Sequence, residues 1–248
     1  MSVFARLRAI EEKDKSSVVR RLMEYGTPDF DYFYLIGLSV LMATFGLMLN
    51  SGAIVIGSML IAPLMYPILG ISLGLVMSNY KVLGRSLSTL VKSLAIGLAL
   101  SVLGAFFFGE GEVSYVTAEV LSLTVPSLLH LCVAIIAGAA VAYMMTKPEW
   151  NDTLPGVAIS VALIPPLATV GIGIAALDPF IIKGASVILI LNIVGIVATA
   201  MVIFLLMNLA QKTRIAEATI KKEDDKQEKE QKTIEKVERE LQKESESI

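Results

Sequence analysis

The sequence predicts an all-α fold, a polytopic membrane helical bundle. Three observations carry this prediction. Hydrophobic residues make up 55% of the 248 positions. Only five of the 21 Lys and Arg residues lie between positions 31 and 210, so the middle of the chain is almost free of basic charge. Finally, one apolar segment with internal prolines occurs twice, which is typical of membrane transporters built from internal repeats.

The apolar runs predict about six membrane spans. Crossing a hydrocarbon core of about 30 Å takes about 20 apolar residues in a helix. Runs of about this length lie near 32–49, 53–77, 87–108, 128–146, 154–176 and 184–208. The predicted organisation is an N-terminal segment at 1–30, a transmembrane domain at 31–210 and a charged tail at 211–248. Residues 113–126 are too short to cross and predict an interfacial helix or lid.

The repeated segments are IGSMLIAPLMYPILGISLG at 56–74 and ISVALIPPLATVGIGIAAL at 159–177. At an offset of 103 residues they share seven identities, and both carry prolines near the middle. A proline interrupts the hydrogen bonding of a helix. We therefore expect spans 2 and 5 to be broken, and matched broken spans point to a site near the membrane midplane.

The repeat predicts an inverted architecture. Repeat 1 covers about 31–109 and repeat 2 about 128–208, each with three spans. An odd number of spans per repeat makes the second repeat enter the membrane from the opposite side. A pseudo-two-fold axis in the membrane plane would then pair span 1 with 4, 2 with 5 and 3 with 6.

Loop charges predict the orientation. The loop at 78–86 carries Lys81 and Arg85, and the loop at 147–152 carries Lys147, whereas 109–127 has three acidic residues and no basic one. Basic loops stay in the cytoplasm. We therefore expect the protein in the plasma membrane with both termini in the cytoplasm.

The two ends of the chain are polar. Val3, Leu7, Ile10, Val18 and Leu22 form a modest apolar stripe, which indicates either an amphipathic helix on the cytoplasmic membrane surface or a solvated helix. The tail after 210 is densely charged, with Ile234, Val237 and Leu241 in a weak heptad pattern. A charged, partly helical tail and a self-associating coil are the two interpretations.

The candidate binding residues surround the two proline segments. Because proline lacks an N–H, the carbonyls of Met59, Pro63, Val161 and Ala162 lose their helical donors, and in lipid they need other partners. The candidates for ligand binding or for lining a pathway are Asn50, Ser51, Ser58, Pro63, Pro67, Ser160, Pro165, Pro166 and Asn192.

Three further polar residues have alternative interpretations. Asn192, in the middle of span 6, either links helices or lines a pathway. Lys92 lies within span 3, where it either serves a function or extends its side chain to the headgroups. His130 begins span 4 and is either a pH sensor or an ordinary interfacial residue.

Several functions are disfavoured. The membrane domain has no His-Glu metal motif, nucleophile elbow or P-loop, so we expect no enzyme activity, no metal site and no cofactor. The single cysteine, Cys132, excludes an intrachain disulfide. The sequence has no strongly basic region, so we expect no nucleic acid partner. The expected partners are the lipid bilayer and an unidentified small solute. Small-residue spacings such as Gly70-x-x-x-Gly74 fit contacts within one bundle or in a homo-oligomer.

Residues 27–79 resemble a known family. The run TPD at 27–29, the run NSGAIVIGSMLIAPLMYPI at 50–68 and, more loosely, IPPLA at 164–168 are similar to the prokaryotic membrane family numbered 389 among the domains of unknown function. The resemblance extends to about residue 208 and implies a multi-pass prokaryotic membrane protein. It implies no settled activity.

The function predicted from these residues is a small secondary transporter or channel, with its solute site between spans 2 and 5. With no carboxylate inside a span, passage of a neutral or anionic solute is favoured over proton or sodium coupling. The alternative is a membrane scaffold or sensor that acts through the cytoplasmic tail.

Overall fold

The computed structural model describes residues 12–26, 28–109, 115–145 and 153–246. Within these ranges the chain is helical and forms no strand. The start of the N-terminal stripe (Val3, Leu7, Ile10) and the loop charge Lys147 lie outside the described residues. The helices are α1 (Glu12–Glu24), α2 (Phe30–Met48), α3 (Gly52–Met59), α4 (Met65–Val76), α5 (Tyr80–Phe108), α6 (Ala118–Ser122), α7 (Leu128–Met144), α8 (Thr153–Ala175), α9 (Pro179–Leu206), a 3-10 turn (Leu209–Lys212) and α10 (Thr213–Glu246).

The protein is an all-α polytopic membrane bundle. Four of the described helical segments are long and apolar enough to cross a membrane: Phe30–Met48, Tyr80–Phe108, Gly156–Ala175 and Pro179–Leu206. Met65–Val76 and Leu128–Met144 are apolar but shorter. The total of six membrane spans stays a prediction.

Polar contacts define two ends of the bundle. At one end, which we call the terminal end, Arg21 in α1 donates to the carbonyl of Met145 after α7 (2.9 Å), and Asn79 before α5 donates to Glu217 in α10 (2.8 Å). At the far end, the N–H of Glu119 in α6 bonds to Asn50 after α2 (3.1 Å). The terminal end thus carries α1, α10 and the end of α7, and the far end carries α6 and the connection between α2 and α3.

The two proline segments differ in structure. The first is interrupted, as predicted, because α3 ends at Met59 and α4 begins at Met65, with Pro63 in the connection. The second corrects the prediction, since α8 continues through Pro165 and Pro166 without a break. A proline can remain inside a membrane helix when neighbouring groups bond the carbonyls that it frees. Such a neighbour is present on α9 and is described below.

The polar ends pack on the bundle. Val18, Val19, Leu22 and Met23 of α1 are fully buried, and α1 contacts α4, α10 and the 3-10 turn. The described part of the apolar stripe, Val18 and Leu22, is thus covered by protein. The tail is one helix, α10, whose residues Ala216 and Ile220 are also buried. Hydrophobic burial attaches both polar segments to the terminal end.

The turns after α4 and α8 have the same geometry, which also occurs after α2 at Asn50 (φ 52°). After α4, Ser78 adopts φ 49°, Asn79 N–H bonds to Gly74 O (3.0 Å), and the Asn79 side chain caps α5. After α8, Leu177 adopts φ 51°, Asp178 N–H bonds to Gly173 O (2.9 Å), and the Asp178 side chain caps α9.

These turns correspond at an offset of 99 residues, whereas sequence identity indicated 103. The difference of four residues is about one helical turn. A helix rich in Leu and Ile presents similar residues on the same face every turn, so sequence identity alone does not fix the register of such repeats.

Candidate functional site

The two proline segments meet inside the bundle. Ser160 of α8 is fully buried and its hydroxyl donates to the carbonyl of Ala62, in the interruption between α3 and α4 (2.8 Å). Helices α3 and α4 both contact α8. The interruption therefore places a carbonyl outside any helix, and the other proline segment provides its donor.

Asn192 supports the proline segment of α8. Pro166 has no N–H for the carbonyl of Ala162, and Asn192 Nδ2 donates to this carbonyl at 2.7 Å. This bond is the physical reason why α8 stays continuous. The bond also fixes the orientation of the amide, because a carbonyl accepts only from the NH₂ side. Asn192 Oδ1 is buried and has no hydrogen-bond partner, while the residue is only 5% exposed.

A cavity of about 320 Å³ adjoins Asn192, and we call it the Asn192 cavity. Val161, Ala162 and Pro166 of α8 form one wall. The start of α7 and the segment before it form the other, so the cavity lies toward the far end. The remaining described lining residues are Leu123, Ser127, Leu129, His130 and Val133. None of the described lining residues is Lys, Arg, Asp or Glu.

A second cavity, of about 540 Å³, lies at the terminal end, and we call it the Pro63 cavity. Pro63 and Tyr66 line it from the interrupted segment, and Tyr32 and Leu35 line it from the start of α2. Its described lining includes five carboxylates and one lysine, for a formal charge of −4. These charged residues are Glu24, Asp29, Asp31, Glu223, Glu230 and Lys226.

Two residue pairs occupy matching positions in their helices, and three of these four residues line the two cavities. Tyr32 is the third residue of α2 and His130 the third residue of α7. Ser93 and Asn192 each lie fourteen positions after the N-cap residue of their helices. In the first half, Ser93 Oγ donates to Tyr32 Oη (3.1 Å).

In the second half, the corresponding pair is not bonded. His130 Nδ1 instead lies 2.9 Å from Ser127 Oγ, within a capping box at the start of α7. Asn192 and His130 thus line one cavity without sharing a bond, and Asn192 Oδ1 is left free.

Other buried hydroxyls join the helices. Ser39 donates to Ser58 O (2.6 Å), Ser72 to Val197 O (3.1 Å) and Ser101 to Ala168 O (2.9 Å). Hydroxyl-to-carbonyl bonds of this kind are common between membrane helices. They fix the relative positions of α2, α3, α4, α5, α8 and α9 around the two cavities.

Comparison with known proteins gives the family. The model described as "Domain of unknown function (DUF389)" matches residues 59–198. The chain belongs to the DUF389 family. An uncharacterised protein of the archaeon Methanocaldococcus jannaschii is similar, with 29% identity over 167 residues. The alignment covers 67% of this chain and 51% of the archaeal protein, so it spans about half the length of that relative. No solved structure matches.

The DUF389 match includes the residues that form the site. Pro63, Ser160, Pro166 and Asn192 all fall within residues 59–198, whereas α1 and α10 fall outside. The polar segments α1 and α10, which wall the Pro63 cavity, therefore lie outside the matched region of this chain.

The other predicted site residues lie apart from the cavities or within helices. Asn50 is exposed at the far end, and Ser51 is the N-cap residue of α3 without a side-chain bond. Ser58 is buried and donates to Val55 O within α3 (2.6 Å). Pro67 and Pro165 are buried inside α4 and α8. None of these five is among the described residues that line the two cavities.

Sequence reasoning missed that His130 lines the Asn192 cavity and that carboxylates line the Pro63 cavity. His130 was interpreted as an interfacial residue with two alternative roles. A usable signal was present in the N-cap residues: aligning Asp29 with Ser127 pairs Tyr32 with His130. The carboxylates come from α1, α2 and α10, which are far apart in sequence, so only the fold brings them together. Lys92 is exposed on α5 and lines neither cavity in the described residues.

Proposed function

We propose that this DUF389 protein is a small secondary transporter or channel, with its pathway between the two proline segments. The single observation that supports this function is the pair of cavities at opposite sides of the Ser160–Ala62 contact. Ala62 precedes Pro63, which lines one cavity, and Ser160 precedes Val161, which lines the other. A solute path that is closed in the middle and widened on both sides fits a closed state of a channel or transporter.

Two inverted three-span repeats give this arrangement a structural basis. The matched turns after α4 and α8, at an offset of 99 residues, support the repeat. The packing also supports it, because α2 packs on α5 as α7 packs on α9, and α4 packs on α9 as α8 packs on α5. The proposed pseudo-two-fold axis passes near the Ser160–Ala62 contact and exchanges the two cavities.

The proposed orientation puts the terminal end in the cytoplasm of a prokaryotic cell. Lys81 and Arg85 lie at this end, next to α10. The described residues at the far end between α5 and α7 include Glu119 and no Lys or Arg. This asymmetry has the sign that the positive-inside rule requires. The Pro63 cavity would then be the cytoplasmic vestibule.

Solute flux into proteoliposomes tests the proposal. The probes are methylammonium, potassium, chloride and urea, each measured separately, with wild type against the double variant Pro63→Ala plus Pro166→Ala. Alanine restores a backbone N–H at both positions. We expect the interruption at position 63 to close, and the new N–H at position 166 to compete with Asn192 for the carbonyl of Ala162. We expect flux of at least one probe in wild type and a loss of about tenfold or more in the variant.

The matched control is Gly84→Ala, since a methyl group there meets nothing within 4 Å. Equal flux in wild type and in the double variant, or no flux of any probe above that of empty liposomes, would overturn the proposal.

The second candidate function is a scaffold or sensor that acts through the tail. It is favoured by one observation, that α10 is a continuous helix of 34 residues docked on both α1 and the start of α5. A growth assay that includes a variant truncated after residue 212 discriminates between the sensor and the transporter. A sensor loses function on truncation and tolerates the proline substitutions, whereas a transporter loses function on the proline substitutions. We infer no catalytic role, because the sequence has no nucleophile and base at motif spacing.

A further inference from the structure

We propose that the Asn192 cavity binds a small cation with N–H donors, either ammonium or a short primary alkylammonium ion. This inference rests on the proposed transport function and specifies its solute. It departs from the neutral or anionic solute that the sequence favours. Four features of the molecule support it: a free acceptor, a second acceptor beside it, an apolar wall and an acidic vestibule.

The free acceptor is Asn192 Oδ1. Its amide cannot rotate to offer the NH₂ group, because Nδ2 donates to Ala162 O at 2.7 Å. The oxygen is buried without a partner, and a buried polar atom without a partner is rare in folded proteins. The cavity beside it therefore selects a ligand that donates a hydrogen bond, and an anion without a donor has no counterpart there.

The second acceptor is the carbonyl of Val161, a residue that lines the same cavity. Pro165 lies four residues later and has no N–H to offer this carbonyl. An ammonium group has several N–H donors and is matched by more than one oxygen, as the lysine ammonium is in proteins. Two oxygens on adjacent helices thus form a better site for ammonium than for a single hydroxyl group.

The wall of the cavity favours a short alkyl chain. Leu123, Leu129, Val133 and Pro166 supply apolar surface. The volume of about 320 Å³ equals the liquid volume of about ten water molecules. Ammonium alone leaves most of this space unfilled, whereas a primary amine with a few carbon atoms can place its head at Asn192 and its chain on the wall.

The charge of the Pro63 cavity favours a cation over a neutral hydrogen-bond donor as the solute. Its described lining carries a formal charge of −4. Clefts with one sign of charge concentrate ions of the opposite sign and repel ions of the same sign. A pathway that passes this vestibule is therefore enriched in cations before they reach the contact between Ser160 and Ala62.

Binding to the full-length protein in lipid nanodiscs tests the inference without requiring flux. Isothermal titration would compare propylammonium, methylammonium, tetramethylammonium, potassium, urea and formate at constant ionic strength. We expect saturable binding of the two primary ammonium ions, with propylammonium at least threefold tighter. We expect at least tenfold weaker binding of the other four probes. Tetramethylammonium has the charge but no N–H donor, and urea has the donors but no charge.

Two variants locate the site. Asn192→Leu removes Oδ1, and we expect at least tenfold weaker binding of propylammonium. Ser72→Ala is the control, since it removes a different hydrogen bond to α9, at Val197 O, and we expect wild-type affinity. If Asn192→Leu fails to fold, Val133→Phe fills the cavity while Asn192 is kept, and binding should again be lost.

Equal binding of tetramethylammonium or urea, or wild-type affinity in both cavity variants, would overturn the inference. These outcomes are separable from the transport proposal. Binding of propylammonium without flux of any probe contradicts transport alone, and flux of chloride or urea without amine binding contradicts the cation site alone.

Discussion

At the scale of single residues, buried hydroxyls of this protein bond to backbone carbonyls in two ways, within their own helix or across to another segment. Ser160 and Ser58 are both fully buried, but Ser160 bonds to Ala62 O across the bundle, whereas Ser58 bonds to Val55 O within its own helix. The carbonyl of Ala62 lies outside any helix, so its bond to Ser160 is the more important of the two for the packing of the proline segments.

Ser160→Ala should therefore destabilise the protein more than Ser58→Ala. Loss of an interhelical hydrogen bond in a bilayer costs about 0.6 kcal/mol on average and up to about 1.7 kcal/mol. We expect Ser160→Ala near the upper value, because a buried carbonyl is left without a donor. Ser58→Ala should cost about 0.5 kcal/mol or less, since the carbonyl of Val55 keeps its helical N–H donor. Thermal unfolding of the purified variants measures both, and an equal loss in the two would contradict the assigned role of Ser160.

Gly184 fixes the segment before α7 against α9. A Cβ atom at this position would lie 1.9 Å from the carbonyl oxygen of Thr124, which is a backbone atom and cannot rotate away. Gly184→Ala should displace the segment that includes Leu123 and cost about 1–3 kcal/mol through overpacking.

Gly84→Ala is the opposite case, because the added methyl group meets nothing within 4 Å on α5. It should stabilise the helix by about 0.5–1 kcal/mol. Thermal midpoints of the two variants in one detergent should shift in opposite directions. A neutral Gly184→Ala would show that the segment moves freely.

At the scale of helices, the sequence predicted the interruption at Pro63 but also an interruption at Pro165 and Pro166 that does not form. The prolines alone cannot distinguish the two outcomes, since both segments lose helical donors. The difference is in the neighbours: Asn192 lies on α9, thirty residues from Ala162, and replaces the missing donor. This contact depends on the packing of α8 on α9, which no local pattern encodes.

The attachment of α1 to the end of the bundle should depend on pH. Hydrogen bonds from Lys212 and then Lys15 lower the pKa of Glu12 to about 2, from a usual value of 4.5. The folded state thus binds the proton less tightly than the unfolded state does. The stabilising contribution is complete above pH 4.5 and is lost as the pH falls from 4.5 toward 2.

Glu12→Gln measures this contribution. At pH 7 the variant lacks the ion pair with Lys212, whose atoms lie 2.6 Å apart, and should unfold at a lower temperature than wild type. The difference between the two midpoints should shrink between pH 5 and pH 3, because Glu12 takes up a proton in the unfolded state, where its pKa has the usual value of 4.5. A difference that stays constant over this range would contradict the lowered pKa.

At the scale of the whole molecule, the all-α membrane bundle was predictable because apolar length and charge distribution depend only on local composition. The assembly of the two cavities was not. The Asn192 cavity combines α7, α8 and α9 with the segment that contains Leu123, and the Pro63 cavity combines α1, α2 and α10 with the interruption. In the sequence, Glu24 and Glu223 belong to the two polar ends, and only the docking of α1 and α10 brings them beside Pro63.

This docking predicts that α10 controls access to the Pro63 cavity. Glu223, Lys226 and Gln227 line the cavity from α10, and Gln227 Nε2 donates to Pro28 O at 3.0 Å. Asp224 holds the helix in place through an ion pair with Arg85 at the start of α5. Replacing Asp224 with Asn should loosen α10 and expose the lining of the cavity more often.

The accessibility of a cysteine in the cavity measures this effect. With Cys132 replaced by Ser, Leu35→Cys provides one reactive thiol on the cavity wall, and the rate of its labelling by a water-soluble maleimide can be followed. A partly exposed ion pair contributes about 0.2–1 kcal/mol, so Asp224→Asn should raise the labelling rate by up to about fivefold. Glu228→Gln removes the same charge from α10, but Glu228 pairs with Lys232 on its own helix, so the rate should not change. Equal labelling rates in the three proteins would mean that α10 does not control access to the cavity. An increase specific to Asp224→Asn would show that α10 limits entry from the terminal end.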